Sequence, residues 1–198
     1  MTTIFLARHG RTAWSVAGLY TGVSDVELDE KGLRQAGMLA SWAAKAELGE
    51  VVSSPLVRAV STASGAAQAA GVRPRIDPRL REVDFGQAEG RRRSDLDPEV
   101  VGRFEADPAA HPFPGGEDPV AAAARVTGCL AELAGRGSGR ILVVAHNTIL
   151  RLALCRLLGI PLADYRRRLP RIEHGSVTEL GFGAEGAALR SLNVPLSG

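Results

Sequence analysis

The sequence predicts an α/β fold with a largely parallel sheet. Segments rich in apolar β-forming residues alternate along the chain with segments whose apolar residues recur at helical spacing, which is the pattern of βαβ units. The length of 198 residues, of which 45% are hydrophobic, is close to that of one compact domain with a sizeable core. We therefore expect one α/β domain that spans residues 1–198.

The first part of the chain is predicted to form a βαβ unit that is extended by one more helix and a short strand. Apolar runs predict the strands, and apolar residues at helical spacing predict the helices. Pro55 suits the start of the second helix, because proline lacks an N–H group that this turn would leave unpaired. The predicted elements are a strand at 3–8, a helix at 29–46, a strand at 50–54, a helix from Pro55 to about residue 70 and a strand at 73–77.

The middle of the chain is predicted to be irregular as far as residue 117, because four prolines prevent long regular elements there. These prolines are Pro98, Pro108, Pro112 and Pro114. Regular structure then resumes with a helix that has Asp118 as its N-cap. The remaining predicted elements are that helix at 118–134, a strongly apolar strand at 139–146, a helix at about 148–158, and two strands at 176–182 and 187–194 that complete the sheet at or near one edge.

Composition and charge exclude several classes of protein. No uninterrupted apolar run approaches the roughly twenty residues of a membrane span, and the N-terminal region lacks the features of a signal peptide, so a cytoplasmic protein is expected. The net charge of +2 is too small to indicate a nucleic-acid partner. Cys129 and Cys155 lack metal-ligand spacing, which favours buried, reduced thiols over a disulfide or a zinc site.

Two predicted strands end in the same way, with a histidine at the end of an apolar run. The first, IFLARHG, presents Arg8 and His9, and the second, RILVVAHNT, presents His146. Ligands of open parallel sheets bind beyond the carboxyl ends of the strands, so the two histidines would converge if their strands are neighbours. Either histidine alone could simply bond a backbone carbonyl. The shared context of the two favours a functional site.

Two further charged residues occupy positions that suit an anion site. Arg58 lies in the first turn of a predicted helix, where a cation opposes the helix dipole, and this placement indicates a compensating anionic ligand unless the side chain extends into solvent. Glu82 follows a short predicted strand in RLREVDFGQAEG and precedes two glycines. A carboxylate in such a loop is ordinarily solvated, but it can also serve as an acid or base.

Together these five residues suit phosphoryl transfer from a phosphate monoester. A neutral imidazole attacks the phosphorus of a dianion without charge repulsion, and His9 is the predicted nucleophile. Arg8 and Arg58 would hold the phosphate oxygens and keep the free imidazole unprotonated. Glu82 would protonate the leaving oxygen and then activate water, and His146, if protonated, would stabilise the equatorial oxygens in the transition state.

The order of the motifs resembles that of the histidine phosphatase superfamily, in its phosphoglycerate mutase-like branch. The similar segments are LARHGRTAW, GLYTGVSDVELDEKG, SSPLVRAVSTA, RLREVDFGQAEG, PFPGGED and VVAHNTILRLAL, which run from residue 4 to about residue 158. The resemblance implies a three-layer α/β/α sandwich whose central sheet is mostly parallel with an antiparallel edge. It also implies that His9 becomes phosphorylated, that Arg8, Arg58 and His146 form the phosphate pocket, and that Glu82 is the proton donor and acceptor.

The resemblance also points to groups that would bind the substrate. Ser15 stands where the family usually places an asparagine against the phosphate, and Asn147 replaces the usual glycine after the second histidine. Thr21 and Gly22 match a segment that borders the substrate in relatives, although a turn role for Thr21 fits equally well. We therefore expect substrate contacts from these four residues.

Four basic residues are left without an assigned role. Arg91, Arg92 and Arg93 could meet a second anionic group on the substrate, but a solvated basic turn is the favoured interpretation. His174 lies at the start of a predicted tail strand and could approach the pocket.

The expected function is that of a phosphomonoesterase that needs neither a metal nor a cofactor and acts on a small phosphorylated metabolite. The segment between Glu82 and the PGGE loop is short, whereas the resemblance implies that mutases carry a longer segment that caps the site. A phosphoglycerate mutase-type transferase and a catalytically silent phosphate-binding regulator are the alternatives. No nucleic-acid or membrane partner is expected, and a homodimer is left open.

Overall fold

The computed structural model describes residues 1–137 and 139–196. Its strands are β1 (Thr2–Arg8), β2 (Glu50–Ser53), β3 (Pro74–Ile76), β4 (Arg140–Ala145), β5 (Ser176–Gly183) and β6 (Gly186–Pro195). They form one six-stranded sheet in the order β3-β2-β4-β1-β5-β6. The first four strands of this order are parallel, and β5 and β6 add an antiparallel edge. This arrangement confirms the predicted sheet.

Helices cover both faces of the sheet. The α-helices in the described residues are α1 (Ala13–Ala17), α2 (Glu30–Ala43), α3 (Val57–Ala69), α4 (Pro98–Ala106), α5 (Pro119–Gly135), α6 (Asn147–Leu157) and α7 (Tyr165–Arg168). Successive side chains of a strand point to opposite faces, so Ile4 and Leu6 of β1 pack with α5 and α6, while Phe5 and Ala7 pack with α2 and α3. The result is the three-layer α/β/α sandwich that the resemblance implies.

The middle of the chain is more regular than the sequence predicts. Helix α4 begins at Pro98, its first helical residue, where the missing N–H of proline costs nothing, and Asp97 accepts a hydrogen bond from the Glu99 N–H as its N-cap. The helix ends at Ala106, two residues before Pro108. The prolines therefore bound a helix of nine residues instead of excluding one.

The α4 region packs through its own aromatic cluster. Phe104 of α4 stacks on Phe113 with ring centroids 4.1 Å apart, and Tyr20 meets Phe113 edge to face at 4.9 Å. Phe85 joins the cluster with its ring centroid 5.4 Å from that of Tyr20. Aromatic pairs at these separations add about 0.5–1.5 kcal/mol each beyond the burial of their surface. The cluster forms a firm wall next to the carboxyl ends of the parallel strands.

Two smaller observations complete the description. Cys129 and Cys155 are buried and unpaired, as the sequence predicts, and burial raises the pKa of the two thiols to about 12 and about 11. Across residues 1–137 and 139–196, the structure contains no helix with the length and apolar character of a membrane span.

Candidate active site

The parallel pairing of β1 with β4 brings the two strand-end histidines together. Arg8 of β1 lies opposite Ala145 of β4, so the next residues along the two strands, His9 and His146, are also neighbours. Their ring centroids are 5.1 Å apart. The prediction that the two strand ends lie side by side is confirmed. Close packing requires Gly10 directly after His9, since a Cβ there would collide with backbone atoms of the α2 N-terminal turn.

His9 is held as a neutral imidazole with a defined proton position. Its Nδ1 lies 2.7 Å from the Gly10 carbonyl oxygen, which can only accept, so Nδ1 carries the proton and donates it. Nε2 therefore keeps its lone pair. Burial lowers the pKa of His9 well below its usual value of 6.5, and the nearby His146, Arg8 and Arg58 lower it further. At neutral pH the side chain is therefore uncharged, and its Nε2 carries no proton.

Arg8 places its guanidinium in the same region. Its Nη1 donates to the Ile172 carbonyl oxygen at 2.9 Å, but its buried Nε has no hydrogen-bond partner among the residues that the structure describes. Burial lowers the pKa of Arg8 to about 10, so the guanidinium stays charged at neutral pH. A buried, charged donor without a partner costs free energy that an incoming anion would recover.

Arg8 and His9 open onto a cleft of about 140 Å³ at the carboxyl ends of the strands. The residues that line it come from both halves of the chain. They are Arg8, His9, Ser15, Leu19, Tyr20, Thr21, Glu82, Phe85, Asn147, Thr148, Arg151 and Arg166.

Glu82 lines this cleft and also caps the N-terminus of α6. Its Oε1 accepts hydrogen bonds from the N–H groups of Val83 at 2.9 Å and Ile149 at 2.8 Å, and its Oε2 accepts one from Thr148 at 2.8 Å. A carboxylate oxygen has two lone pairs, so Oε1 is saturated and Oε2 retains one. Oε2 therefore keeps a lone pair for one further hydrogen bond.

Arg58 and His146 are both fully buried and bond to each other. The Arg58 Nε donates to Nδ1 of His146 at 3.2 Å, so the His146 proton lies on Nε2, which donates to the Ser54 hydroxyl oxygen at 2.6 Å. The other Arg58 nitrogens donate to the carbonyl oxygens of Gly22 and Ser24, both at 2.7 Å. Neither Arg58 nor His146 lines the cleft, but the His146 ring lies against that of His9, which does.

The electrostatics of this pair differ from the sequence expectation in two ways. Burial and the adjacent Arg58 hold the pKa of His146 well below 6.5, whereas the role predicted for this residue needs a protonated ring, so that role stays a prediction. The anion expected at the N-terminus of α3 is the side chain of Asp25, which accepts a hydrogen bond from the Val57 N–H at 2.8 Å. A carboxylate of the protein itself thus occupies that position.

The four predicted substrate-binding residues divide into two groups. Ser15, Thr21 and Asn147 line the cleft, although the Asn147 side-chain oxygen also accepts a hydrogen bond from the N–H of residue 172 at 2.9 Å. Gly22 lies outside the lining, and its N–H donates to both carboxylate oxygens of Glu89, at 2.8 and 3.0 Å. Gly22 instead positions Arg58 through its carbonyl oxygen.

The side chains of the consecutive arginines 91–93 form hydrogen bonds within the protein. Arg93 forms a bidentate pair with Glu105, with N–O distances of 2.8 and 2.9 Å. Arg91 donates to the Asp95 carbonyl oxygen, and Arg92 donates to the carbonyl oxygen of residue 17. The structure therefore agrees with the favoured interpretation of a basic turn.

Three basic residues at the site, His174, Arg151 and Arg166, were not assigned a role by sequence reasoning. His174 lies 5.3 Å from His9, ring to ring, and its Nδ1 donates to the His9 carbonyl oxygen at 2.7 Å. Burial lowers the pKa of His174 to about 4. Arg151 and Arg166 line the cleft from α6 and α7. Only the start of a predicted tail strand at His174 hinted at any of these placements.

No metal centre is evident in the part of the chain that the structure describes, where no group of three or more His, Cys, Asp and Glu side chains is arranged to hold an ion.

The fold and the cleft define a class of protein: an α/β/α sandwich that presents a neutral histidine and a buried arginine at the carboxyl ends of its parallel strands. The sequence profile of the histidine phosphatase superfamily (branch 1) matches residues 4–195. The chain belongs to this superfamily.

Known proteins of similar sequence and structure include phosphatases and mutases. Phosphoserine phosphatase 1 of Hydrogenobacter thermophilus is 32% identical over 169 residues, which cover 83% of this chain and 80% of that protein. A Proteus mirabilis protein named "Probable phosphoglycerate mutase GpmB" is 33% identical over 195 residues, with coverage of 92% and 86%. A mycobacterial glucosyl-3-phosphoglycerate phosphatase, solved with VO3, is 28% identical and superposes with a TM-score of 0.89 over 98% of this chain and 100% of that chain.

Proposed function

We propose that the protein is a metal-independent phosphomonoesterase that hydrolyses a small phosphorylated metabolite through a phosphohistidine at His9. The observation that carries this proposal is the hydrogen bond from Nδ1 of His9 to Gly10, which leaves the Nε2 lone pair for the cleft. Arg8, whose buried Nε has no hydrogen-bond partner among the described residues, lines the same cleft. A nucleophile beside a charged donor suits a phosphate monoester, because the donor holds the oxygens while the nucleophile attacks.

The first half-reaction transfers the phosphoryl group to His9. The Nε2 lone pair forms a bond to phosphorus, and the ester P–O bond breaks in line with it. The leaving oxygen takes the proton held at Oε2 of Glu82, which becomes a carboxylate. Arg8 holds the equatorial oxygens, and its positive charge stabilises them as their negative charge increases.

The second half-reaction returns the enzyme to its starting state. The Glu82 carboxylate takes a proton from water as the water oxygen attacks phosphorus. The P–N bond breaks, and its electron pair returns to Nε2 of His9. Inorganic phosphate leaves, and Glu82 again carries its proton at Oε2.

Arg58 and His146 are proposed to position these groups. Their mutual hydrogen bond, together with the bond from His146 to Ser54, holds the Arg58 guanidinium and the His146 imidazole in place next to His9. The charge of Arg58 also disfavours protonation of His9. Direct contact of either side chain with the phosphate stays a prediction.

The test is to trap the phosphoenzyme. Brief reaction with p-nitrophenyl phosphate labelled at phosphorus, followed by quenching in base, is expected to leave an acid-labile, base-stable label on the peptide that contains His9. The variant His9→Ala should carry no label. The variant His111→Ala, which alters an exposed histidine, should label like the parent protein. Label on His146 or on a serine would overturn the assignment.

Two further measurements separate this proposal from its alternatives. Turnover should persist in EDTA, and a complete loss that magnesium or manganese restores would refute metal independence. A mutase, which the similarity to the Proteus mirabilis protein favours as second candidate, would interconvert 2- and 3-phosphoglycerate and respond to 2,3-bisphosphoglycerate. We expect neither result, and we expect phosphate to be released to water. Absence of any turnover would support a silent phosphate-binding protein.

A further inference from the structure

Arg166 lies in the wall of the cleft that also holds Arg8 and His9. It belongs to α7, which carries three consecutive arginines. Arg167 and Arg168 turn towards the side chain of Asp164, at N–O distances of 2.8 and 3.7 Å, and both are largely exposed. Only the first of the three arginines borders the cleft.

Aromatic side chains support the Arg166 guanidinium. Its central carbon lies 5.2 Å from the ring centroid of Phe104, within the range of a cation–π contact. Tyr20 belongs to the same aromatic cluster and lines the cleft, and the charge of Arg166 opposes the rise that burial causes in the pKa of Tyr20. A planar guanidinium that rests on a ring is oriented without being neutralised.

No carboxylate in residues 1–137 and 139–196 forms an ion pair with Arg166. The carboxylate of Glu105 interacts electrostatically with Arg166, but both of its oxygens accept hydrogen bonds from Arg93. Arg151, the other arginine of this wall, donates to the carbonyl oxygens of Asn147 and of residues 169 and 170, so its donors are spent on the fold. Arg166 also contacts the uncharged hydroxyl of Tyr165, which does not neutralise it. Because it forms no ion pair with a carboxylate of the described residues, its positive charge is available to a ligand.

We infer that Arg166 is a specificity-determining residue that binds a carboxylate of the substrate while Arg8 and His9 engage its phosphate. The inference rests on the proposed phosphatase function and narrows the substrate class to small phosphorylated carboxylic acids. A guanidinium fork matches the two oxygens of a carboxylate. The cleft of about 140 Å³ is smaller than the ~300 Å³ at which ligand pockets usually begin, which favours a short carbon skeleton between the two anionic groups.

The experiment compares substrates that differ in the carboxylate. One pair is 3-phosphoglycerate and glycerol 3-phosphate, and the other is O-phosphoserine and O-phosphoethanolamine. The wild-type protein should show a kcat/KM that is about 10- to 100-fold higher for the carboxylate-bearing member of at least one pair, which is the worth of one charged hydrogen-bonded contact. Arg166→Ala should remove this preference, mainly through KM, and leave the other member within about three-fold.

Matched variants separate recognition from damage to the fold. Arg167→Ala removes a neighbouring, exposed arginine of α7 and should keep the wild-type preference. Arg166→Lys should keep part of it, because the charge remains but the fork is lost. Thermal unfolding of each variant checks that α7 stays in place. Equal loss on both members of each pair in Arg166→Ala, or no preference in the wild type, would overturn the inference.

Two further outcomes are distinguishable. A preference for fructose 1,6-bisphosphate over fructose 6-phosphate that Arg166→Ala removes, without any carboxylate preference, would replace the carboxylate by a second phosphate. If no phosphate monoester turns over, the phosphatase proposal fails. Calorimetric titration with 3-phosphoglycerate and glycerol 3-phosphate then tests the inference about Arg166 separately. Arg166→Ala should weaken binding of 3-phosphoglycerate at least ten-fold more than binding of glycerol 3-phosphate. An equal effect on both compounds would refute the inference.

Discussion

Replacing Glu82 by glutamine perturbs two roles of one carboxylate, the cap of α6 and the proton carrier of the proposed reaction. A carboxylate accepts at both oxygens, whereas an amide accepts at one and donates at the other. If the amide oxygen takes the place of Oε1 and keeps the bonds from Val83 and Ile149, the amide NH₂ faces the N–H of Thr148. Two donors then oppose each other in a buried position.

The structural cost follows from these contacts. An unsatisfied buried donor costs about 1–3 kcal/mol. Glu82 carries a proton in the proposed resting state, so the change to glutamine removes no charge, and Glu82→Gln should lower the free energy of unfolding by about 1–3 kcal/mol. This is less than the ~5–15 kcal/mol of a typical domain, and the variant should still fold. Urea unfolding monitored by circular dichroism measures the loss.

The catalytic cost depends on the leaving group. An alkoxide needs a proton, so transfer from an alkyl phosphate should slow by about 10²- to 10⁴-fold in Glu82→Gln. Nitrophenolate leaves without one, so p-nitrophenyl phosphate should still phosphorylate His9 at nearly the parent rate. Attack of water then slows for want of a base, and stopped-flow absorbance should show a burst of nitrophenol followed by slow turnover.

Glu89→Gln is the matched control for these kinetics. Glu89 also accepts hydrogen bonds from backbone N–H groups, those of Gly22 and Ser24, but it does not line the cleft. This variant should lose stability without any split between the two kinds of substrate. If Glu82→Gln slows both substrates equally and shows no burst, or hardly slows either, then Glu82 is not the acid and its role is to cap α6.

Two other predictions concern the histidines at the site. Ser54→Ala removes the acceptor of the His146 Nε2 proton and should lower the free energy of unfolding, measured by urea titration, by about 1–3 kcal/mol. The control Ser41→Ala alters an exposed serine and should cost less than about 0.5 kcal/mol. Equal losses in the two variants would contradict the bond between His146 and Ser54. His9, His146 and His174 have lowered pKa values in the folded protein, so below about pH 6.5 the unfolded chain binds more protons than the folded one. The free energy of unfolding should therefore fall on acidification from pH 6.5 to about 4. The slope should reach up to about 1.4 kcal/mol per pH unit for each histidine. A flat stability profile across that window would show that these side chains take up protons in the folded state.

The sequence by itself determined most of the secondary structure and the chemical character of the site. Apolar runs that end in a histidine predicted β1 and β4 and the positions of His9 and His146, because alternation and length are local signals. The first turn of a predicted helix marked Arg58, and a loop after a short predicted strand marked Glu82. The resemblance of successive motifs then supported the same five residues. The α4 helix was missed because proline occurs both at the first position of helices and where helices end, and the sequence alone did not show which role Pro98 has.

Only the tertiary structure decided how these groups act. The register of β1 against β4 brings the histidines together, the Gly10 carbonyl sets the tautomer of His9, and three backbone N–H groups leave Glu82 a single lone pair. Arg166 enters the cleft from α7, more than 150 residues along the chain from His9. Periodicity reports which residues share a face of one element. Hydrogen-bond partners, burial and the neutrality of a histidine arise from contacts between residues far apart in sequence, and these exist only once the sheet order is established.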